Sequence, residues 1–290
     1  MDFLKKNIDK IVGIGAFLIL ALFSFRVVLF LTFSPPEENS FMATAYEGLG
    51  IEAAPVVDRP VEHPRQMEWS FDGRFGHFDK AAVRRGLQVY REVCSACHSL
   101  DLIAFRNLTE IGYSVGAAKA IAASYQITAG PDRFGDMYER PGILADNFPA
   151  PFDNPAAAAI SNGGKAPPDL SLMAKARADG PNYIHSLLTG YVDAPVEFVP
   201  NSDTTTYNPY FDTWEIVMPP PLFDGFVEYE DGTEASVEQM SKDVTNFLMW
   251  TAEPNLEARL TMGFSVVLYS LVLTLLLFLS MKTIWRRLKP

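Results

Sequence analysis

Hydrophobic and polar positions divide the chain into two continuous apolar runs near its ends and a long middle of mixed periodicity. Residues 11–33 are apolar with one charged interruption, Arg26, and Leu260–Met281 hold no charged side chain. A helix of 22 residues spans roughly 33 Å, which crosses the hydrocarbon of a bilayer with a little tilt. The second run is therefore read as a transmembrane helix. The first directs export, as a cleaved signal peptide or a retained anchor. Ala43-Thr44-Ala45 offers a small-x-small cleavage site. However, the apolar run is longer than the 7–15 residues or so usual for a signal peptide, and a retained anchor is the preferred reading.

Between the runs, residues 35–70 read as a linker rich in proline (Pro35, Pro36, Pro55, Pro60, Pro64) with little periodicity. Asp79 is a natural N-cap, and Val83, Gly86, Leu87, Tyr90, Val93 and Cys94 then recur at helical spacing. Residues 101–160 mix short helical patterns with Pro and Gly and resist organisation. Ala166–Ser171 (APPDLS) predicts a rigid turn leading into a helix through Lys175, and residues 190–232 are rich in loops. Ser236 with Gln239 predicts a capping box. Val237, Met240, Val244, Phe247, Leu248 and Thr251 trace one face of the helix that follows, Pro254 limits it, and a connection through Arg259 reaches the span. The expected division is 1–34 signal anchor or signal peptide, 35–70 linker, 71–256 soluble domain, 257–282 membrane anchor and 283–290 tail.

Flanking cations orient the chain. Lys5, Lys6 and Lys10 precede the first run, while Lys282, Arg286, Arg287 and Lys289 follow the second. The positive-inside rule puts both ends in the cytoplasm and the middle across the membrane. The chain holds 35 acids and 24 bases; removing two acids and four bases in residues 1–34 and five bases in 259–290 leaves 33 acids and 15 bases, a formal charge of −18. Such a field excludes nucleic acid as a partner and favours a basic one. Glu228, Glu230, Asp231 and Glu234 are a candidate steering patch.

Both cysteines of the chain fall in Cys94-Ser95-Ala96-Cys97-His98. This spacing is that of covalent haem attachment: each thiol adds to one vinyl group and the adjacent imidazole reaches the iron. A redox dithiol needs no following histidine and sits near a βαβ pattern, which is not seen. A structural zinc needs a fourth ligand, and His63, His77 and His185 offer no suitable spacing. A disulfide across two residues is strained. Haem c is attached outside the cytoplasmic membrane, so motif and topology support one another.

His98 supplies one axial ligand, and the sixth ligand decides between a closed electron carrier and an open haem sensor or gas binder. Methionine there raises the potential. Met240 and Met249 are assigned to core filling on the last soluble helix. Met42 and Met67 lie in the linker, and Met173 is on a helix. Met218 leads, because the following Pro219-Pro220-Pro221 stiffens its backbone; Met42, Met67, Met137 and Met173 remain open at this point.

Read together, the stretches RRGLQVY (84–90) running into Cys94–His98, PPDLS (167–171), YIHSLLTGY (183–191), MPPPL (218–222), YEDGT (229–233) and KDVTNFLMWTAEP (242–254) resemble the cytochrome c1 family in its alphaproteobacterial form. The resemblance implies a mainly α, class I-like cytochrome c domain on a C-terminal transmembrane helix. It implies Met218 as the sixth ligand, Arg177 and Tyr183 at the haem propionates, and Pro168 beside the cofactor. Gly86 and Tyr90 match the close crossing of first and last helices; Tyr90 and Trp250 read as core. The implied function is respiratory electron transfer as a subunit of ubiquinol–cytochrome c oxidoreductase, without bond chemistry of its own. One electron arrives from a Rieske iron–sulfur protein and leaves to a cytochrome c, within a dimeric complex built with cytochrome b in the bacterial inner membrane, the haem domain in the periplasm. Electron transfer within a different respiratory complex is the rival. Some bacterial members carry a second cysteine pair before the methionine; residues 190–217 here have none, so prolines and packing must stiffen that loop.

Overall fold

A computed structural model describes residues 61–287 apart from Glu197 and Asn201. The expected anchor at 1–34, the linker up to Pro60 and Met42 lie outside the described residues. Helix α1, Lys80–Glu92, starts where predicted: the Asp79 carboxylate accepts from Ala81 N (2.9 Å) and Ala82 N (3.3 Å), satisfying two backbone donors of the first turn. Helix α2 (Val115–Ala123), a β1–β2 hairpin (Gln126–Ala129 with Tyr138–Pro141), α3 (Pro155–Ser161), α4 (Met173–Ala176) and α5 (Gly180–Thr189) follow. A two-residue pair, β3 (Thr206–Tyr207) with β4 (Glu215–Ile216), precedes α6 (Val237–Ala252) and α7 (Leu256–Arg287). The domain is mainly helical, as the sequence predicts.

The capping box before α6 forms only by half. Ser236 Oγ accepts from Gln239 N at 3.2 Å, but the Gln239 amide turns to Asp243 Oδ2 (3.0 Å) instead of returning to the cap. The competitor is a buried charge. Asp243 is fully buried, and Arg85 forks onto it from α1, Nε to Oδ2 at 2.9 Å and Nη2 to Oδ1 at 3.0 Å. An interior carboxylate without such donors is costly, and both Arg85 and Gln239 supply them. Arg85 also donates to Asp231 (2.9 Å).

That ion pair sits where α1 crosses α6. Gly86 permits the crossing: a Cβ there would lie 2.1 Å from the Asp243 carbonyl oxygen and 2.7 Å from Phe247 Cβ. Tyr90 meets Phe247 with ring centroids 5.7 Å apart, and Phe247 meets Trp250 at 5.9 Å. Tyr90 and Trp250 are buried core residues, and so is Met240.

Helix α5 packs on the adjoining face of α6 through His185, whose ring nitrogens lie 2.9 Å from Glu238 Oε1 and 3.0 Å from Ser241 Oγ. Residues 62–69, at the end of the stretch read as linker, fold against this pair. Met67 N and Trp69 Nε1 both donate to Asn182 Oδ1 (3.1 and 2.8 Å), and Arg65 N donates to Ser186 Oγ (2.8 Å). One continuous apolar cluster runs from Trp69 through α1, α6 and the Phe105–Phe148 contact to Leu256.

The link between α6 and the membrane helix is shorter than expected. Only Glu253–Asn255 separate them, because Pro254 stops one helix and the next begins at Leu256 rather than beyond Arg259. Leu256 at the start of the 32-residue α7 is buried against the domain, but from Met262 to Trp285 its apolar side chains are exposed, as lipid requires.

Candidate functional site

The end of α1 delivers the cysteine–histidine motif as one tight turn. Cys94–Ala96 form a 3₁₀ turn, and the Cys94 carbonyl accepts from both Cys97 N (3.1 Å) and His98 N (2.9 Å). Tyr90 Oη, one helical turn back, donates to the His98 carbonyl (3.1 Å). Three side chains of the motif are thereby presented from one short arc.

The histidine ring is oriented from seventy residues downstream. His98 Nδ1 lies 2.8 Å from the Pro168 carbonyl oxygen. Since that oxygen only accepts, Nδ1 carries the proton and Nε2 is the nitrogen available to a metal. Burial holds the imidazole below its ordinary pKa, favouring the neutral form a ligand must have, against the opposing pull of the Pro168 carbonyl and Asp169.

Asp169 staples the two segments. Its Oδ2 accepts from Ser99 Oγ (2.9 Å) and Asp101 N (2.8 Å), and its Oδ1 from Ser171 N (2.9 Å). Leu170 N donates to the Ser99 carbonyl at 3.0 Å, and Leu102 N to Ser171 Oγ at 3.1 Å. The rigid turn at 167–171 was legible in the sequence. Its bonding to the histidine was not.

Met218 lies half-buried, unlike the fully buried core filler Met240. Tyr191 Oη donates to the Met218 carbonyl at 3.0 Å. The buried Asn208 braces the preceding loop: its Nδ2 donates to the Leu187 carbonyl (2.9 Å), its backbone N to the Trp214 carbonyl (2.8 Å), and its Oδ1 accepts from Tyr210 N (3.1 Å). Two antiparallel pairs, Thr206 with Ile216 and Tyr207 with Glu215, close that loop. The loop that lacks a cysteine pair is thus stiffened by a small hairpin and two polar anchors, Tyr191 and Asn208, which periodicity alone could not single out. Tyr191 ends the YIHSLLTGY stretch, and that position is the one signal that could have found it.

Arg177 follows α4 and Tyr183 lies on α5; the guanidinium and the phenol are neighbours. Burial and Asp212 raise the Tyr183 pKa while Arg177 opposes them, so the hydroxyl stays protonated and able to donate. A cation beside a neutral phenol is a donor set suited to carboxylates. Tyr183 in turn stands close enough to Tyr191 to influence its ionisation.

This donor set fits a covalent haem and argues against the rival chemistries. A redox dithiol needs a thiol of lowered pKa, whereas burial and Cys97 push Cys94 the other way. No group of three or more His, Cys, Asp or Glu side chains able to hold a metal ion occurs among the described residues. Cys97 is exposed and Cys94, His98 and Met218 are half-buried, as suits side chains that a flat macrocycle would cover.

The sequence model of the Cytochrome C1 family matches residues 69–288. The chain belongs to the cytochrome c1 family. It is 46% identical to "Cytochrome c1" of Rhodospirillum rubrum over 239 residues, covering 77% of this chain and 88% of that protein. It is 50% identical to "Cytochrome b-c1 complex catalytic subunit, mitochondrial" of Candida albicans over 213 residues, 73% of this chain and 74% of that one. Against "Cytochrome b/c1" of Bradyrhizobium diazoefficiens it is 46% identical over 245 residues; the match takes in 77% of this chain but only 36% of that protein, whose name joins two components. Members of the family are the haem subunits of the bc1 complex in respiratory electron transfer, and the cofactor here is haem c. The apolar α7 fits a membrane anchor, and the bacterial relatives fit an inner-membrane location.

Proposed function

We propose that Cys94 and Cys97 hold the haem through thioethers, that His98 and Met218 cap the iron, and that Arg177 and Tyr183 pair with its propionates. The chain takes one electron from a Rieske iron–sulfur protein and passes it to a cytochrome c, beside cytochrome b in a dimeric complex. When bound, the haem supplies a one-electron couple whose potential is set by its axial ligands. The protein's residues do the rest. The Pro168 carbonyl sets the tautomer of His98, Tyr90 holds that histidine's carbonyl, Asp169 holds the following Ser99 and Asp101, and the Tyr191 hydroxyl tethers the Met218 segment. No substrate bond is made or broken on this subunit. The haem domain lies in the periplasm, and both termini are cytoplasmic if residues 1–34 are retained.

Glu228, Glu230, Asp231 and Glu234 are all exposed and would steer a basic acceptor at a salt-sensitive rate. Asp231 is held at about 2 by Thr233 and Arg85, so it is ionised throughout the physiological range. The contact between His98 Nδ1 and the Pro168 carbonyl carries the reading, because it leaves Nε2 to the metal. Two measurements test it. The reduced protein should show a sharp α-band unmoved by carbon monoxide, and its pigment should stay with the polypeptide in acidified organic solvent; a carbon monoxide complex would make the site an open gas binder. Solubilised membranes should yield cytochrome b and a Rieske subunit with this chain, and a pull-down lacking both would end the assignment of partners.

A further inference from the structure

Just before α1, residues 70–77 make a closed loop with an unusual tip. His77 N donates to the Ser70 carbonyl (2.9 Å) and Asp72 N to the Trp69 carbonyl (3.1 Å), closing the neck. A Cβ on Gly76 would lie 2.0 Å from the Phe71 carbonyl oxygen, so only glycine fits the return. The neck is rigid: Trp69 stacks on Phe71 at 5.4 Å, and Phe71 meets Phe78 at 5.8 Å, all three buried. Asp72, Gly73, Arg74 and Phe75 are exposed, and Phe75 is 84% accessible.

The neck is fastened to the foot of the membrane helix. Phe78 N donates to Glu257 Oε1 at 2.8 Å, and Leu256 is buried in the same cluster as the three rings. The charge-free part of α7 begins at Leu260, three residues below Glu257, or about 4.5 Å of helical rise. The headgroup layer on each side of the hydrocarbon is roughly 5–8 Å deep. Three residues of chain between Phe75 and Phe78 reach about 10 Å at most. The exposed ring therefore lies within reach of the level at which headgroups give way to acyl chains.

We propose that this turn is a second, peripheral lipid contact, with Phe75 set into the membrane–water boundary beside α7 and Arg74 among the phosphates. Apolar rings at that depth lose unfavourable water contact, and a long cationic side chain extends to the headgroups. A protein partner is the poorer occupant: one ring on a four-residue tip cannot supply the roughly 1,000 Å² that a specific interface buries. The fastening of the neck to Glu257, three residues from the charge-free part of α7, favours the bilayer.

The test places a photoreactive side chain at the tip, Phe75→p-benzoylphenylalanine, in the full chain within its native membrane complex. The α-band reports that the variant folds and carries its haem. After irradiation, the peptide Phe75–Lys80 should carry phospholipid mass, several-fold more than the equivalent peptide from Phe134→p-benzoylphenylalanine, an exposed ring on the β1–β2 hairpin. Cross-linking of position 75 to another polypeptide would overturn the proposal. So would lipid adducts no more frequent than at position 134, or no adduct at all.

Discussion

His98 hangs from the end of a thirteen-residue helix, its carbonyl held by Tyr90, its ring by Pro168 and its neighbours Ser99 and Asp101 by two bonds to Asp169. Met218 sits in a loop, half-buried, with its carbonyl tied to one phenol and the preceding residues closed by strands of two residues each. The first region is over-determined: losing any one bond leaves others in place. The second rests on few contacts. A cofactor gripped between them would be welded on one face and latched on the other, so its chemistry should be tuned, and lost, on the methionine side.

The largest effect should come from breaking the latch outright. Met218→Leu removes the sulfur donor proposed above for the iron and should lower the midpoint potential by roughly hundreds of millivolts, within the range that axial ligands command. Redox titration reads this, and an unchanged midpoint would move the ligand elsewhere. On the welded face, Asp169→Ala deletes three accepted bonds and should cost about 2–3 kcal/mol of stability in denaturant unfolding. Its midpoint should scarcely move; a fall like that of Met218→Leu would mean the histidine face is no more redundant than the other.

A gentler cut sharpens the contrast. Tyr191→Phe keeps the ring and loses one hydrogen bond, about 1 kcal/mol. Stability should fall less than in Asp169→Ala, yet carbon monoxide should now bind the reduced protein measurably. Resistance equal to the unaltered protein would show that the hairpin alone holds the methionine.

The smallest effect concerns His185, which holds α5, and hence Tyr191 just beyond it, against α6. Burial lowers its pKa below 6.5 despite Glu238, with Arg65 and Lys242 also opposing its charge. The unfolded chain therefore binds the proton more readily, and stability drops as pH falls through 6.5, flattening below the folded value. Thermal unfolding of His185→Gln between pH 7.5 and 5.5 should show a shallower slope than the unaltered chain, and an identical slope would refute the assignment.

The same contrast explains what the sequence disclosed. Local rules apply to the welded face: Asp79 caps, Gly86 marks a close crossing, and Cys94–His98 is a motif whose spacing is its chemistry. The latch depends on contacts between Tyr191 and Met218 and between Leu187 and Asn208, 27 and 21 residues apart, with no periodicity to announce them. The 101–160 region failed for a related reason. Its hairpin is short, its residues alternate between exposed and half-buried, and its core residues Phe105 and Phe148 meet across 43 positions. The capping box misled because the sequence of a helix start cannot reveal a buried carboxylate one turn later competing for the same glutamine.

The Pro168 carbonyl has one more consequence, in the order of assembly. A chain made from its N-terminus presents both thiols and the imidazole before residue 168 is added, and closing a loop of that length comes late. Pigment could thus be acquired early, while the histidine's tautomer matures only when the distant turn docks. A chain truncated before Pro167, which loses Met218 as well as the docking turn, should be coloured yet mis-poised.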